Sequence, residues 1–341
     1  MKLPVPRDRI HDAGRNIRRW VCIAQWSYAS IVGLALALLW FTGDTWWLGT
    51  LLCFGPRWLL LAPAPILIGL CFACRRIRWL PTIAIFVFAP FWLGFVVPAF
   101  SRGPLPTGAI RIRIATFNAL KSAADFQAFV RWVESEGVDV LIVQESRIED
   151  LRGLLGPQWH FRSGERAMIV ASRHPIVDAA SLGWHDPVIR GECTAVQIAI
   201  GETIVRVGGV HLATPRQGLE SLMRGDPNSI RQIAEEREGR RRMAKEASLF
   251  LLQVHNVDFL AGDFNMPVES HIYHEFWGEP TNAFSTAGCG LGYTKRTSWH
   301  GVRIDHILVA NGEIGVVNAH VGPAFRSDHC SVIAELSLPS K

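Results

Sequence analysis

Hydrophobic patterning divides this chain into two regimes that meet near residue 102. Residues 20–41 are almost free of charge for more than twenty positions, enough helix at about 1.5 Å per residue to cross a hydrocarbon core of roughly 30 Å. A second apolar region covers residues 46–74, interrupted by Gly55-Pro56-Arg57, and a third covers residues 79–100. The pattern therefore predicts an N-terminal segment 1–19 and a membrane domain 20–100 with three transmembrane helices. Several of Trp46, Trp47, Trp58, Trp79 and Trp92 fall near the ends of these stretches, where amphipathic rings favour the headgroup layer. A cleavable signal peptide fits less well, because the first stretch is longer than a usual signal core and two more follow it.

Residues 101–109, with Gly103-Pro104-Leu105-Pro106, read as a linker, and from residue 110 the period changes. Ile110-Arg111-Ile112-Arg113-Ile114 alternates and runs on to Asn118, as a strand with one buried face does. Residues 125–136 place Phe126, Phe129, Val130 and Val133 at helical spacing, and residues 138–143 form a compact apolar strand ending in Gln144-Glu145. Further strand candidates are 167–172, 194–200, 204–210, 257–260, 304–309 and 332–336. Many short strands with two or three helices predict an α+β layered fold, two packed sheets flanked by helices, over a domain 110–341. Residues 230–254, with Glu235-Glu236-Arg237-Glu238 and Arg240-Arg241-Arg242, read as a helix with a solvated, ion-paired face. Residues 214–229, with Gly218, Gly225 and Pro227, read as a flexible loop beside the site.

Charge sharpens this division. Residues 1–103 carry 11 Lys and Arg against 3 Asp and Glu, leaving 24 against 27 for the remainder. The basic excess belongs to the apolar third, and the domain that follows sits near −3, which disfavours a tight grip on a polyanion along its length. Lys2, Arg7, Arg9, Arg15, Arg18 and Arg19 precede the first span, Arg75, Arg76 and Arg78 separate the second and third, and the loop at Asp44 has no Lys or Arg. The positive-inside rule then puts the N-terminus in the cytoplasm and everything after residue 100 outside it, on a multi-pass cell-membrane protein. Seven cysteines with odd, wide spacing define neither a disulfide framework nor a zinc site. Cys71-x-x-Cys74 closes an apolar helix and reads as membrane packing rather than a redox pair.

Polar residues recur where apolar strands end: Asn118, Glu145, His211, Asp263 with Asn265, Asp305, and Asp328 with His329. Singly, each has an ordinary structural explanation, such as a cap, a surface ion pair or a hydrogen-bonded core histidine. Together they sit where a layered sheet collects groups into one cleft. Arg190, Trp299 and His306 are further cleft candidates for binding substrate.

The ordered motifs Thr116-Phe117-Asn118, Gln144-Glu145, Val210-His211-Leu212, Gly262-Asp263-Phe264-Asn265, Arg303-Ile304-Asp305-His306-Ile307 and Ser327-Asp328-His329 resemble those of the endonuclease/exonuclease/phosphatase superfamily. With the apolar N-terminal third, the chain resembles the membrane-anchored bacterial members, including the teicoplanin-resistance type. The resemblance implies a four-layer α/β sandwich and phosphoester cleavage dependent on Mg²⁺ or Mn²⁺. It implies Glu145 as a carboxylate ligand of the ion, supported by Asn118 and Asp328. It also implies Asp263 as the group that orients or deprotonates the attacking water, and Asn265 as a donor to the phosphate. His329, held by Asp305, would contact the scissile phosphate, and His211 would stabilise charge on its opposite side. DNA-repair members commonly carry an acidic residue where this chain has Leu120 and a tyrosine where it has His211, departures that lean towards phospholipases, phosphatases and secreted nucleases. The expected partners are the lipid bilayer and a phosphorylated lipid or small molecule, with nucleic acid less favoured. The competing expectations are an extracytoplasmic nuclease and a catalytically silent binding or resistance module.

Overall fold

The computed structural model describes residues 7–73, 79–97, 109–121, 123–185 and 190–339. Most of the expected linker, the Arg75-Arg76-Ile77-Arg78 loop and Cys74 of the Cys71-x-x-Cys74 pair lie outside the described residues. Fourteen strands form in the described chain. They are β1 (Ile110–Asn118), β2 (Val140–Gln144), β3 (His160–Ser163), β4 (Ile169–Ser172), β5 (Ile176–His185), β6 (Arg190–Ile200), β7 (Thr203–His211) and β8 (Phe259–Asp263). After these come β9 (Thr281–Asn282), β10 (Lys295–Arg296), β11 (Gly301–Val302), β12 (Asp305–Val309), β13 (Gly315–Val321) and β14 (Val332–Leu338).

Two mixed sheets result, ordered β13-β14-β1-β2-β4-β3 and β5-β6-β7-β8-β12-β9, with β10 and β11 as a small separate ribbon. Ile112, Ile114 and Ile142 of the first sheet face Val196, Val207 and Phe259 of the second across a shared core. On the outer face of the first sheet, Phe117 and Leu141 are covered by Phe129 and Val133 of helix Phe126–Ser135. On the outer face of the second, Val210 and Leu260 are covered by Met243 and Ala247 of helix Ser229–Ser248 and by Trp277. Both faces of the central strands are buried, which is why their sequences are continuous apolar runs rather than alternations.

Local readings departed from the structure where burial is decided by distant partners. Residues 216–223 form a helix, Arg216–Met223, rather than an open loop. The helix Ser229–Ser248 is not simply a solvated face, since it buries Glu236 and Arg240. β5 escaped notice because it lies at the edge of its sheet and much of it is exposed, so it shows no buried alternation.

Among the described residues of the N-terminal third, one helix is long and apolar enough to cross a membrane, Arg15–Thr42 within Arg7–Thr42, or two if a bent pair counts as one span, and not the three expected. The second apolar region is bent by 90° between Trp47–Phe54 and Arg57–Leu70. The break falls at Gly55-Pro56, where Gly55 is extended at ψ 175°, because proline supplies no N–H to the helix and disfavours helical geometry in the residue before it. The third helix, Trp79–Leu93, runs 15 residues with Pro90 inside, about 22 Å of rise. This third packs on the two-sheet domain. Gly43, at φ +49°, approaches so closely that a Cβ there would lie 2.6 Å from Glu269 O and from His271 N. The guanidinium of Arg57 donates to Glu269 Oε1 at 2.6 Å, Tyr293 OH donates to Leu93 O at 3.2 Å, and Val96 bridges Gly290.

Candidate active site

Strand register assembles the cluster. β7 and β8 run parallel with His211 opposite Asp263, and β12 returns antiparallel to β8 so that Asp305, its first residue, also lies opposite Asp263. In the other sheet β1 and β2 run parallel with Asn118 opposite Gln144, which brings Glu145 alongside. Gly262, at φ +153°, is required at this junction, since a Cβ would sit 1.9 Å from Val210 O. Any side chain there would force β7 and β8 apart just beneath His211 and Asp263.

The Asn118 carboxamide crosses between the sheets, its Nδ2 donating to Glu145 Oε1 at 3.2 Å and to Asp263 Oδ2 at 3.1 Å. Its Oδ1 accepts from the Leu120 N–H at 3.0 Å. Glu145 and Asn265 both hold left-handed backbone, φ 54° and 51°, and strained non-glycine residues of this kind gather at functional sites. Asn265 N donates to Asp263 Oδ1 at 2.9 Å and Asn265 Nδ2 donates to Leu212 O at 2.7 Å, leaving one amide hydrogen for another acceptor. His211 Nε2 lies 3.8 Å from Glu145 Oε1 and 4.0 Å from Asp263 Oδ2.

His329 Nδ1 contacts Asp305 Oδ2 at 2.9 Å, and its Nε2 lies 3.8 Å from Asp263 Oδ2 and 3.9 Å from Asp328 Oδ1. Asp263, Asp305 and His329 are all buried and offer ligand atoms within 4.8 Å of one another. Burial, and then the nearby Asp305 charge, raise Asp263 above the usual carboxylate range. For Asp305 burial is the largest influence and acts upward, but the His329 charge, the bonds from His329 and Thr294 and the His306 ring together bring the net shift downward. Burial alone would favour a neutral His329, yet Asp305 and then Asp263 hold its proton up to about 9.

The side chains of His306, Arg190 and Trp299 form no hydrogen bond with the residues of this cluster in the described chain. His306 is buried behind Asp305, its Nε2 on Met266 O at 2.8 Å and its Nδ1 on Asn282 Nδ2 at 3.2 Å; burial and the Arg303 charge hold it down to about 4. Arg190 is exposed at the start of β6, two residues before Glu192, which registers with His211. Trp299 is 55% exposed on the loop between β10 and β11. Asp328 is held by the ammonium of Lys295, with the Arg216 guanidinium 3.7 Å away. Thr294 Oγ1 accepts from the Ile304 and Asp305 N–H groups at 3.1 Å each. Lys295 at the start of β10, Arg216 at the start of helix Arg216–Met223, and Thr294 carry no sequence signal, because isolated polar residues have no period.

These environments predict opposite titrations in chelator-treated protein. His329 should keep its proton to about pH 9 and His306 should lose its own near pH 4. A raised folded value means the His329 imidazolium stabilises the fold fully below its unfolded pKa of about 6.5, a contribution lost as pH rises through 9. The depressed His306 acts the other way, withdrawing stability as pH falls from about 6.5 towards 4. NMR titration of the ring protons checks both; a His329 midpoint near 6.5 would break the pairing with Asp305.

Helix-flanked paired sheets with carboxylates, imidazoles and carboxamides gathered at adjoining strand ends define the class. The chain belongs to the Endonuclease/Exonuclease/phosphatase family, whose profile matches residues 115–329. No curated protein matches it. Among solved structures, a family protein of Bacteroides thetaiotaomicron is 14% identical with TM-score 0.51, covering 68% of this chain and 99% of that one. The mannosyl-6-phosphatase of the same organism is 16% identical with TM-score 0.50, covering 66% and 99%. TDP2 of D. rerio, complexed with single strand DNA product, is 11% identical with TM-score 0.51, covering 66% and 98%. At these identities the likeness is one of fold.

Proposed function

We propose that this protein is a membrane-anchored, divalent-metal-dependent phosphoesterase whose cleft lies outside the cytoplasm and acts on a phosphoester borne by a lipid or other amphiphile. The observation that carries the reading is the convergence of Glu145, Asn118, Asp263 and His211 from paired strand ends of both sheets. The donor set fits a hard divalent cation. Among the described residues no Lys or Arg pairs with Glu145 or Asp263, the cations nearest Asp263 being imidazoles, and oxygen donors suit Mg²⁺ or Mn²⁺. Glu145, with Asn118 beside it, would hold the ion, and Asp328 would supply a further oxygen. When bound, the ion polarises a phosphoryl oxygen and offsets charge that develops on it.

The remaining steps belong to this chain's own groups. Asp263, bonded to the Asn265 N–H, orients a water and accepts its proton as the oxygen approaches phosphorus. The free Asn265 amide hydrogen and the His329 imidazolium, fixed by Asp305, donate to phosphoryl oxygens as negative charge grows. His211, across the cluster, serves the leaving side. Lys295 and Arg216 leave the rim with a net positive charge beside Asp328, suited to a second anionic group of the substrate.

The lipid assignment rests on the loop joining β10 and β11. Lys295 of β10, just before it, pairs with Asp328 at the cleft, while in the loop itself Trp299 O accepts from Trp58 Nε1 at 3.0 Å and His300 Nε2 contacts Phe54 O at 3.1 Å. The half-exposed Trp58 and Trp299 rings meet edge to face at 6.4 Å, the amphipathic pairing favoured at headgroup depth. Orientation needs only one crossing by the Arg15–Thr42 helix. Its basic N-terminal flank favours the cytoplasm, and the Gly43-Asp44 loop at its other end packs on the catalytic domain, which supports a cleft on the outer side.

Full-length protein in lipid vesicles should release phosphate from a lipid pyrophosphate in Mg²⁺, and EDTA should stop it. Equal rates in EDTA, or turnover of no phosphoester at all, would sink the reading. A nuclease is the second reading, favoured by the similarity to a TDP2 seen with a DNA product; nicking of plasmid in preference to lipid substrates would select it.

A further inference from the structure

Arg240, one member of a charged helical stretch, is 2% exposed at the centre of a polar chain. Its Nη1 lies 3.4 Å from Asp44 Oδ2 in the loop after the long apolar helix. Its Nη2 donates to the main-chain oxygen of Asn265 at 3.2 Å. Its guanidinium also stacks over the Phe54 ring at 5.2 Å, so two of its contacts come from the N-terminal third. Asp44 is itself fully buried, and its Oδ1 accepts from Ser270 Oγ and from the His271 N–H at 2.9 Å each.

Resting on the phosphoesterase reading, we propose that Asp44 and Arg240 are positioning residues of the active site, through which the apolar N-terminal third holds the Asp263–Asn265 turn in its working geometry. The physical case follows from the fork. A guanidinium is planar and presents donors in fixed directions, so fixing one nitrogen on Asp44 and the ring face on Phe54 dictates where the other nitrogen points. That nitrogen grips Asn265, whose left-handed backbone gives the turn little intrinsic preference for its shape. Asn265 in turn donates its N–H to Asp263 Oδ1, so a shift at Asn265 moves the carboxylate. Without Asp44 the buried guanidinium would also lose its larger carboxylate partner and keep only Glu236, one turn back on its own helix, which drives it to reorient. The N-terminal third is thereby part of the catalytic apparatus and not a passive tether.

The test uses the full chain in nanodiscs. Asp44→Asn keeps an oxygen for Ser270 and His271 while removing the charge that faces Arg240. Arg240→Lys keeps a charge for Asp44 but cannot also reach Asn265 O. Both should lower kcat on a water-soluble phosphoester about 10- to 100-fold, the scale of a displacement near 1 Å, with KM within about twofold of wild type. Hydrogen exchange at the amides of residues 263–266 should speed up in both variants. Arg231→Ala, on the exposed face of the same helix, should change neither. Wild-type kcat with wild-type exchange at 263–266 in both variants overturns the proposal, even if the melting temperature falls, because that pattern is purely structural. If the wild-type protein hydrolyses no phosphoester, the functional reading falls alone, and exchange at 263–266 decides this one.

Discussion

Asp263→Asn should lose about 10²- to 10⁴-fold in kcat while the protein melts at the same or a higher temperature. The rate loss is the usual size for removing a positioned general base. The stability gain has a separate cause. Asp263 is buried beside Asp305, so its proton affinity is raised in the fold, and ionising it at neutral pH opposes folding. Asparagine keeps an oxygen for the Asn265 N–H and removes the charge, relieving that opposition. Active sites commonly trade stability for function in this way. Steady-state kinetics and calorimetry on one preparation check both halves; a kcat within tenfold of wild type would remove Asp263 from its role, and a large drop in melting temperature would show that its charge stabilises the fold.

Glu269→Ala should destabilise the docking of the N-terminal third on the catalytic domain by about 3–5 kcal/mol, the cost of leaving one member of a buried ion pair alone. Arg57 and Glu269 are 10% and 4% exposed and 2.6 Å apart. Burial, the largest single influence, would raise the Glu269 carboxyl, but the Arg57 charge and bond, joined by Arg303 and a main-chain bond, hold it down to about 2. A depressed carboxyl contributes stability above its unfolded pKa near 4.3, and that contribution is lost as pH falls from there through about 2. Wild type should therefore lose stability steeply on acidification between those values, and Glu269→Ala much less so. Replacing both partners, Glu269→Leu with Arg57→Met, should recover part of the loss, because an apolar pair of similar volume removes both charges of the ion pair and leaves only the buried Arg303 guanidinium without its neighbour. Failure of the double variant to recover would mean that Glu269 acts through other partners.

Much of the site was legible in the sequence because its signal is local. An apolar strand that stops at Asn118, at Glu145 or at Asp263 announces a polar group at a sheet edge, and the two-sheet class follows from the spacing of such strands. His306 shows the limit: it stands in the same Asp305-His306 dipeptide and alternation puts it on the opposite face from Asp305, but only packing turns that face inward onto Met266. The apolar third shows another. Composition marked three stretches of sufficient hydrophobicity; among the described residues the bend at Gly55-Pro56 and the 15-residue length of helix Trp79–Leu93 leave only Arg15–Thr42 as an unbroken helix long enough to cross a bilayer.

Residue chemistry and period, which are properties of neighbours along the chain, thus determined most of the buried strands and the order of the catalytic candidates, whose motifs carried the resemblance to the family. Pairing was decided by the tertiary structure alone, because the partners are far apart in sequence: Asn118 with Asp263, Asp305 with His329, Arg57 with Glu269, and Asp44 with Arg240. Whether a charge is a solvated surface group or a buried fixture depends on what folds over it, and for Arg240 that is Asp44 and Phe54, nearly two hundred residues before it.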